Sequence, residues 1–291
     1  MIYRVRHLTE YLYSDGVSTS HHELHLLPRV EPGQTLHSES LSIVPEPAVR
    51  RDRVDWFGNR VTHFAIHERH TRLAVTSTLI LDVTRGAPPD DDGAWELARD
   101  WARAGDDAEA RAAVELALPS ARAAPSAAAR DFAAPSFVPG RPLAEAARDL
   151  MHRIHTEFKY DPTATDVATS VDEVMRHRRG VCQDFAHLQI ACMRAFGLPT
   201  RYVSGYLVTR PDAGPDLVGA DASHAWLSVR LPGGHWLDLD PTNDVVPKDR
   251  HIVVAVGRDF GDVTPMRGVL LGGGRHELRV AVDVTRADGA G

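Results

Sequence analysis

The chain has 291 residues, 43% hydrophobic and 25% charged, so it is long enough for one large or two ordinary domains with real apolar cores, and disorder throughout is not expected. Its 40 acidic and 33 basic residues give a net charge of -7, which excludes a global basic field for nucleic acid or an anionic membrane and leaves small molecules and proteins as partners. No stretch reaches the ~20 apolar residues of a membrane span, and Arg4, Arg6, His7 and Glu10 interrupt the opening where a signal peptide needs an apolar run, so a soluble cytoplasmic protein is expected.

Residues 1–85 alternate polar and apolar positions, with strand-like segments near 2–13, 20–28, 35–44, 49–56, 61–68 and 73–84. Turn signals stand at Ser14-Asp15-Gly16, Pro32-Gly33, Pro45-Glu46-Pro47 and Gly58-Asn59, so an N-terminal all-β, sandwich-like domain is predicted, with a hairpin tip at Trp56-Phe57. Composition then shifts: residues 86–140 read as a linker, Gly86 to Asp92, followed by Ala- and Arg-rich helical sequence. Residues 141–291 read as a second domain. There, Leu143, Ala146, Leu150, Ile154 and Phe158 recur at helical spacing behind Pro142, and Ser170 with an acidic first turn caps another helix. A third helix starts at Cys182 and stops at Gly197. Strand-like runs follow near 200–208, 222–230, 235–240, 251–256 and 276–285, so helices packed on an antiparallel sheet make the whole chain α+β.

Chemistry concentrates at Gly180-Val181-Cys182, where one of two cysteines opens a helix. A thiol of ordinary pKa about 8.5 becomes reactive when a helix N-terminus and an imidazolium favour its thiolate. Cys192 lies mid-helix on the apolar stripe and reads as a small buried hydrophobe; the two sulfurs, about 15 Å apart on one helix, are beyond disulfide reach.

The base candidate is His224, at the start of a strand that returns through Leu231-Pro232-Gly233-Gly234-His235. If Leu231 pairs with His235, His224 faces Thr242 and lies one diagonal step from Asp240 on the same face. Asp240 then holds the imidazole by Nδ1–H and leaves Nε2 to the thiol, while Asp238 sits a further step away and is the poorer orienter.

Gly180-Val181-Cys182, His224-Ala225-Trp226 and Trp236 to Asn243 resemble the three motifs of the transglutaminase-like superfamily, in its order Cys, His, Asp. The similarity continues through Asp184 to Leu188 and Arg201 to Leu207, toward a bacterial branch of candidate cysteine proteases whose N-terminal domain resembles residues 2–84. The resemblance implies a papain-like core with Cys182 as nucleophile, His224 as base and Asp240 as orienting carboxylate, acting on a peptide or protein substrate through a thioester, without a cofactor. Animal transglutaminases use a tryptophan well upstream of the cysteine, whereas no Trp lies between Trp101 and Trp226, and Asp90-Asp91-Asp92 has no calcium-loop pattern; both favour hydrolysis over cross-linking. Gln183, Asp184 and Tyr206 are candidate substrate contacts. The histidines at 21, 22 and 25 and at 63, 67 and 70 form no firm ligand pattern, so no metal is expected there. The competing reading of the whole chain is a noncatalytic peptide- or protein-binding module on the same fold.

Overall fold

A computed structural model describes residues 1–87, 91–164, 169–208, 217–218 and 223–287. Five strands open the chain: β1 (Ile2–Leu24), β2 (Gln34–Val44), β3 (Val49–Val54), β4 (Arg60–Ile66) and β5 (His70–Val83). Four helices follow, α1 (Trp95–Ala104), α2 (Ala108–Ala117), α3 (Ala127–Ala133) and α4 (Leu143–Glu157), the last leading into the short β6 (Lys159–Tyr160). Next come α5 (Val171–His177), the short β7 (Arg179–Gly180) and α6 (Cys182–Arg194). The chain continues through β8 (Thr200–Leu207), β9 (His224–Arg230), β10 (Trp236–Leu239) and β11 (His251–Gly257), and ends with α7 (Phe260–Val263), β12 (Met266–Gly272) and β13 (His276–Arg286).

The Ser14-Asp15-Gly16 turn signal does not end a strand. β1 runs through it as 23 residues, with its register against β5 breaking between Leu12 and Val17 and against β12 between Val17 and Thr19. Before the irregularity β1 lies between β5 and β13; after it, between β4 and β12. Tertiary pairing on both edges overrides the local turn chemistry, and the break lets one seven-stranded sheet fold over on itself. Leu73 and Val75 of β5 and Ile43 of β2 thereby pack against Phe64 and Ile66 of β4, the sandwich-like packing expected from the alternation.

The C-terminal strands depart from the expected pairing. The run at 276–285, expected in the sheet of the second domain, instead forms β13, which pairs with β1 from Tyr3 to Tyr13, and β12 extends the same edge from Val17 to Leu24. Residues 266–272 carry only the apolar run Val269-Leu270-Leu271 between glycines, too short a pattern to read as a strand from sequence.

The second sheet has the order β10-β9-β8-β11. One face packs on α6, which in turn touches α3, α4 and α5. Residues 184–194 are consequently buried on all sides of the helix, although their sequence reads as amphipathic. At its end, buried Arg194 donates to the carbonyls of Leu116, Ala123, Thr200 and Arg258 and to Ser120 Oγ, tying the α2–α3 connection to the sheet. The cap expected at Ser170 is present, and Glu173 reaches back to the Ser170 N–H to make it a capping box.

The other face of this sheet meets the N-terminal region, where Phe57 of the β3–β4 hairpin tip covers Val203, Trp226, Val253 and Val256. Strand β11 would be an open edge, but side chains complete it. Gln34 donates to Val253 O at 2.8 Å and accepts from its N–H at 2.9 Å. Asn59 does the same for Val256 at 2.7 and 2.8 Å, and the Arg29 N–H donates to Val254 O at 3.0 Å. Two amide side chains thus imitate a neighbouring strand, leaving no unpaired edge there.

Asn59→Ala leaves the buried Val256 N–H and C=O without partners, each costing about 1–3 kcal/mol. Urea unfolding should show a loss of about 2–4 kcal/mol, and a loss below about 0.5 kcal/mol would mean that the hairpin tip does not brace the sheet.

Candidate functional site

Cys182 is the first residue of α6 and remains partly exposed. Val181 before it is extended, and Asp184 in the first turn accepts the Val181 N–H at 2.8 Å, closing the helix start. A Cβ on Gly180 would meet Asp184 Cβ and Oδ2 at 2.8 Å, so glycine there is what allows the cap to form. Asp184, expected from sequence as a substrate contact, is buried with its carboxylate in this cap. Gln183 stays half-buried beside Cys182.

Strands β9 and β10 pair as the turn at 231–235 implies, with Asp238 opposite Ser228 and Leu239 opposite Leu227. Extending that register brings Asp240 diagonally to His224, and His224 Nε2 lies 2.8 Å from Asp240 Oδ2. The ring nitrogen differs from the expected one: Nε2, not Nδ1, meets the carboxylate. Strand register decides which residues are neighbours, but the side-chain rotamer decides which nitrogen faces which partner. Nδ1 of His224 is buried and makes no hydrogen bond of standard geometry, leaving it for the Cys182 sulfur.

A second histidine, unread from sequence, shares the carboxylate: His251, opening β11, has Nε2 3.0 Å from the same Asp240 Oδ2. Asn243 Nδ2 donates there at 2.8 Å, while Oδ1 accepts the N–H groups of Thr242 at 3.0 Å and Asn243 at 3.3 Å. The only sequence signal for His251 was a polar residue at the head of the apolar run Ile252 to Val256.

Burial would push Asp240 up, but His224 and His251 outweigh it and hold the carboxyl well below the usual range. For His224, burial acts downward, while the Asp240 charge and hydrogen bond, with a smaller contribution from Cys182, raise it to about 10. His251 is lowered, because burial exceeds what Asp240 returns. His224, Asp240 and His251 are also the described residues whose ligand atoms converge enough to hold a metal ion, within 4.8 Å of one another. Two imidazole N–H groups donating into one oxygen form a hydrogen-bonded arrangement, and a cation would have to replace both protons.

Tyr206 is 1% exposed, and its hydroxyl lies 2.9 Å from His7 Nδ1 in β1, so it belongs to the contact with the N-terminal region and not to a substrate surface. Asp238 accepts from Ser228 and Arg85, both at 2.5 Å, and takes no part at His224. His187 is buried, accepts the Phe260 N–H at 3.1 Å and is lowered to about 3 by burial, a packing role. In the N-terminal sheet the His21 ring lies 6.0 and 6.1 Å from those of His63 and His67, while His70 turns to the Glu68 carbonyl.

The His224–Asp240 pair sets a pH signature. A histidine raised from 6.5 contributes stability in full below that value and loses it as pH rises through the folded pKa; a carboxyl lowered from 3.8 contributes above that value and loses it in acid. Thermal unfolding of Asp240→Asn against the native chain should therefore differ most between about pH 4 and 6.5 and converge toward alkaline pH. A difference independent of pH would contradict a charged pair.

Residues 3–82 match the family described as the bacterial transglutaminase-like N-terminal region, and residues 130–241 match the transglutaminase-like superfamily. An uncharacterized protein of Mycobacterium tuberculosis is 43% identical over 303 aligned positions, covering 99% of this chain and 93% of its own. One from Mycobacterium leprae is 34% identical, covering 97% and 98%. A protein-glutamine gamma-glutamyltransferase of Pseudomonas aeruginosa is 33% identical over 112 residues, 37% of this chain and 17% of its own. The solved structure of a candidate cysteine protease from Cytophaga hutchinsonii shares the fold, with a TM-score of 0.74 at 20% identity, covering 99% of this chain and 91% of that one. With both halves matched in order and relatives aligned end to end, the chain belongs to the transglutaminase-like superfamily.

Proposed function

We propose that the protein is a thiol-dependent hydrolase of peptide or carboxamide bonds, with Cys182 as nucleophile, His224 as acid and base, and Asp240 as the carboxylate that orients it. The observation that carries this reading is the wholly buried His224, held through Nε2 by Asp240, with Nδ1 left for the cysteine at the head of α6. The Cys182 thiolate attacks the carbonyl carbon, and the oxyanion accepts from the Cys182 N–H and from Gln183. His224 Nδ1–H protonates the departing amine as the C–N bond breaks, which leaves a thioester on Cys182. Water then attacks, His224 takes its proton, and the acid departs as the thiolate reforms.

The missing tryptophan between Trp101 and Trp226 supports water as the acceptor. The partial likeness to a protein-glutamine gamma-glutamyltransferase supports a second reading, in which an amine resolves the same thioester. A cytoplasmic setting belongs to the proposal and is supported by the two free cysteines. No helix of the described residues is long and apolar enough to cross a membrane.

In mildly acidic buffer, Cys182→Ala should abolish alkylation by iodoacetamide, while Cys192→Ala leaves it unchanged, since Cys192 is wholly buried and its thiol is pushed up to about 12. Equal, slow labelling of both thiols would instead support a noncatalytic binding module. Once intact-mass detection of the Cys182 thioester has identified an acyl donor, Asp240→Ala should lower kcat about 10²- to 10⁴-fold, and added amine reports which acceptor is used.

A further inference from the structure

Strands β12 and β13 form one edge of the seven-stranded sheet, and no strand among the described residues pairs with their outer side. On β13 the even-numbered face is apolar from Leu278 to Val284, between His276 and Arg286: Leu278 and Val280 are 49% and 41% exposed, while Val282 and Val284 lean on the core. The odd-numbered face carries Glu277, Arg279, Ala281, Asp283 and Thr285. A long, open edge with half-covered apolar residues is a template for another strand, and this one is complementary to itself.

Antiparallel pairing of two identical strands about a two-fold axis perpendicular to the sheet keeps every residue on its own face, so the axis must pass through a residue. With the axis at Ala281, Arg279 of one copy faces Asp283 of the other, twice, and Val280 faces Val282 while Leu278 faces Val284. Neighbouring registers fail. An axis at Val280 sets Glu277 against Asp283, one at Val282 sets Leu278 against Arg286, and axes at Arg279 or Asp283 bring like charges together.

The charges on the adjacent strands fit the same register. Arg72 pairs with Glu10 at 2.7 Å, Glu10 lies opposite Arg279, and Asp283 lies opposite Arg6. Across the joined edge the row then alternates in sign: Arg72, Glu10 and Arg279 of one copy, then Asp283 and Arg6 of the other. We infer that the protein forms a homodimer by antiparallel pairing of β13 with β13 about Ala281, joining two sheets into one.

Sedimentation equilibrium of the full chain at low ionic strength should give a reversible dimer of twice the 31.9 kDa chain mass. Arg279→Asp and Asp283→Arg should each raise the dimer Kd about tenfold or more, and the double variant should return it near the native value. These side chains are exposed, so an unchanged circular dichroism spectrum verifies the fold of each variant. In a Cys182→Ala background, Ala281→Cys should oxidise to a covalent dimer, whereas Thr285→Cys, which faces Glu277 of the other copy, should not. A monomer at all concentrations, a dimer indifferent to both single substitutions, or single losses that the double variant does not restore would each overturn the inference.

Discussion

Everything at the candidate site depends on one buried carboxylate oxygen. Asp240 Oδ2 accepts from His224, His251 and Asn243, and Oδ1 takes two backbone N–H groups, so the charge removed from water is surrounded by donors. Without that shell the desolvation of Asp240 would favour its neutral form, and a neutral carboxyl would have no charge with which to hold His224 protonated. The two histidines diverge for the same reason. Both are buried against one oxygen, yet the Asp240 charge and hydrogen bond, with Cys182 adding to them, raise His224, while burial together with the charges of His224 and Arg85 lowers His251.

The N-terminal region is part of this constraint. Gln34, Asn59 and the Arg29 N–H complete the edge of β11, the strand that delivers His251. Arg85 and Ser228 fix Asp238 two residues before Asp240, and Arg201 lies over the Trp236 ring while pairing with Glu31. Gly205, opposite His224, shows how tight the sheet is: a Cβ there would come within 2.0 Å of the Ile252 carbonyl oxygen and 2.6 Å of the Trp226 ring. A shift of the N-terminal sheet would thus be felt at the histidines through short, stiff contacts.

Legibility in the sequence followed the range of the interaction. Helix starts at Leu143, Val171 and Cys182 are local events of capping and periodicity, and were readable. The approach of His224 to Asp240 was readable because a tight turn counts residues between two neighbouring strands. His251 was not, since β11 joins the sheet on the far side of β8, where no turn sets the register to β10. The same holds for Tyr206 and His7, joined across 199 positions, and for Asp184, whose cap depends on the absence of a side chain at Gly180. The Ser14-Asp15-Gly16 signal misled in the opposite sense, because pairing on both edges overrode local chemistry.

The pairing of β1 with β13 joins the first and last described strands of the chain. During synthesis β1 can find β5 early, but its other edge must wait for residues 266–286, after the whole second sheet and its helices have been made. The N-terminal sheet is therefore the first part to begin folding and the last to finish, with the segment that carries Cys182, His224 and Asp240 spliced into its interior like an inserted domain. Loss of residues 266–286 would spare every group at the site and still strip one whole side from the strand around which the N-terminal sheet is built.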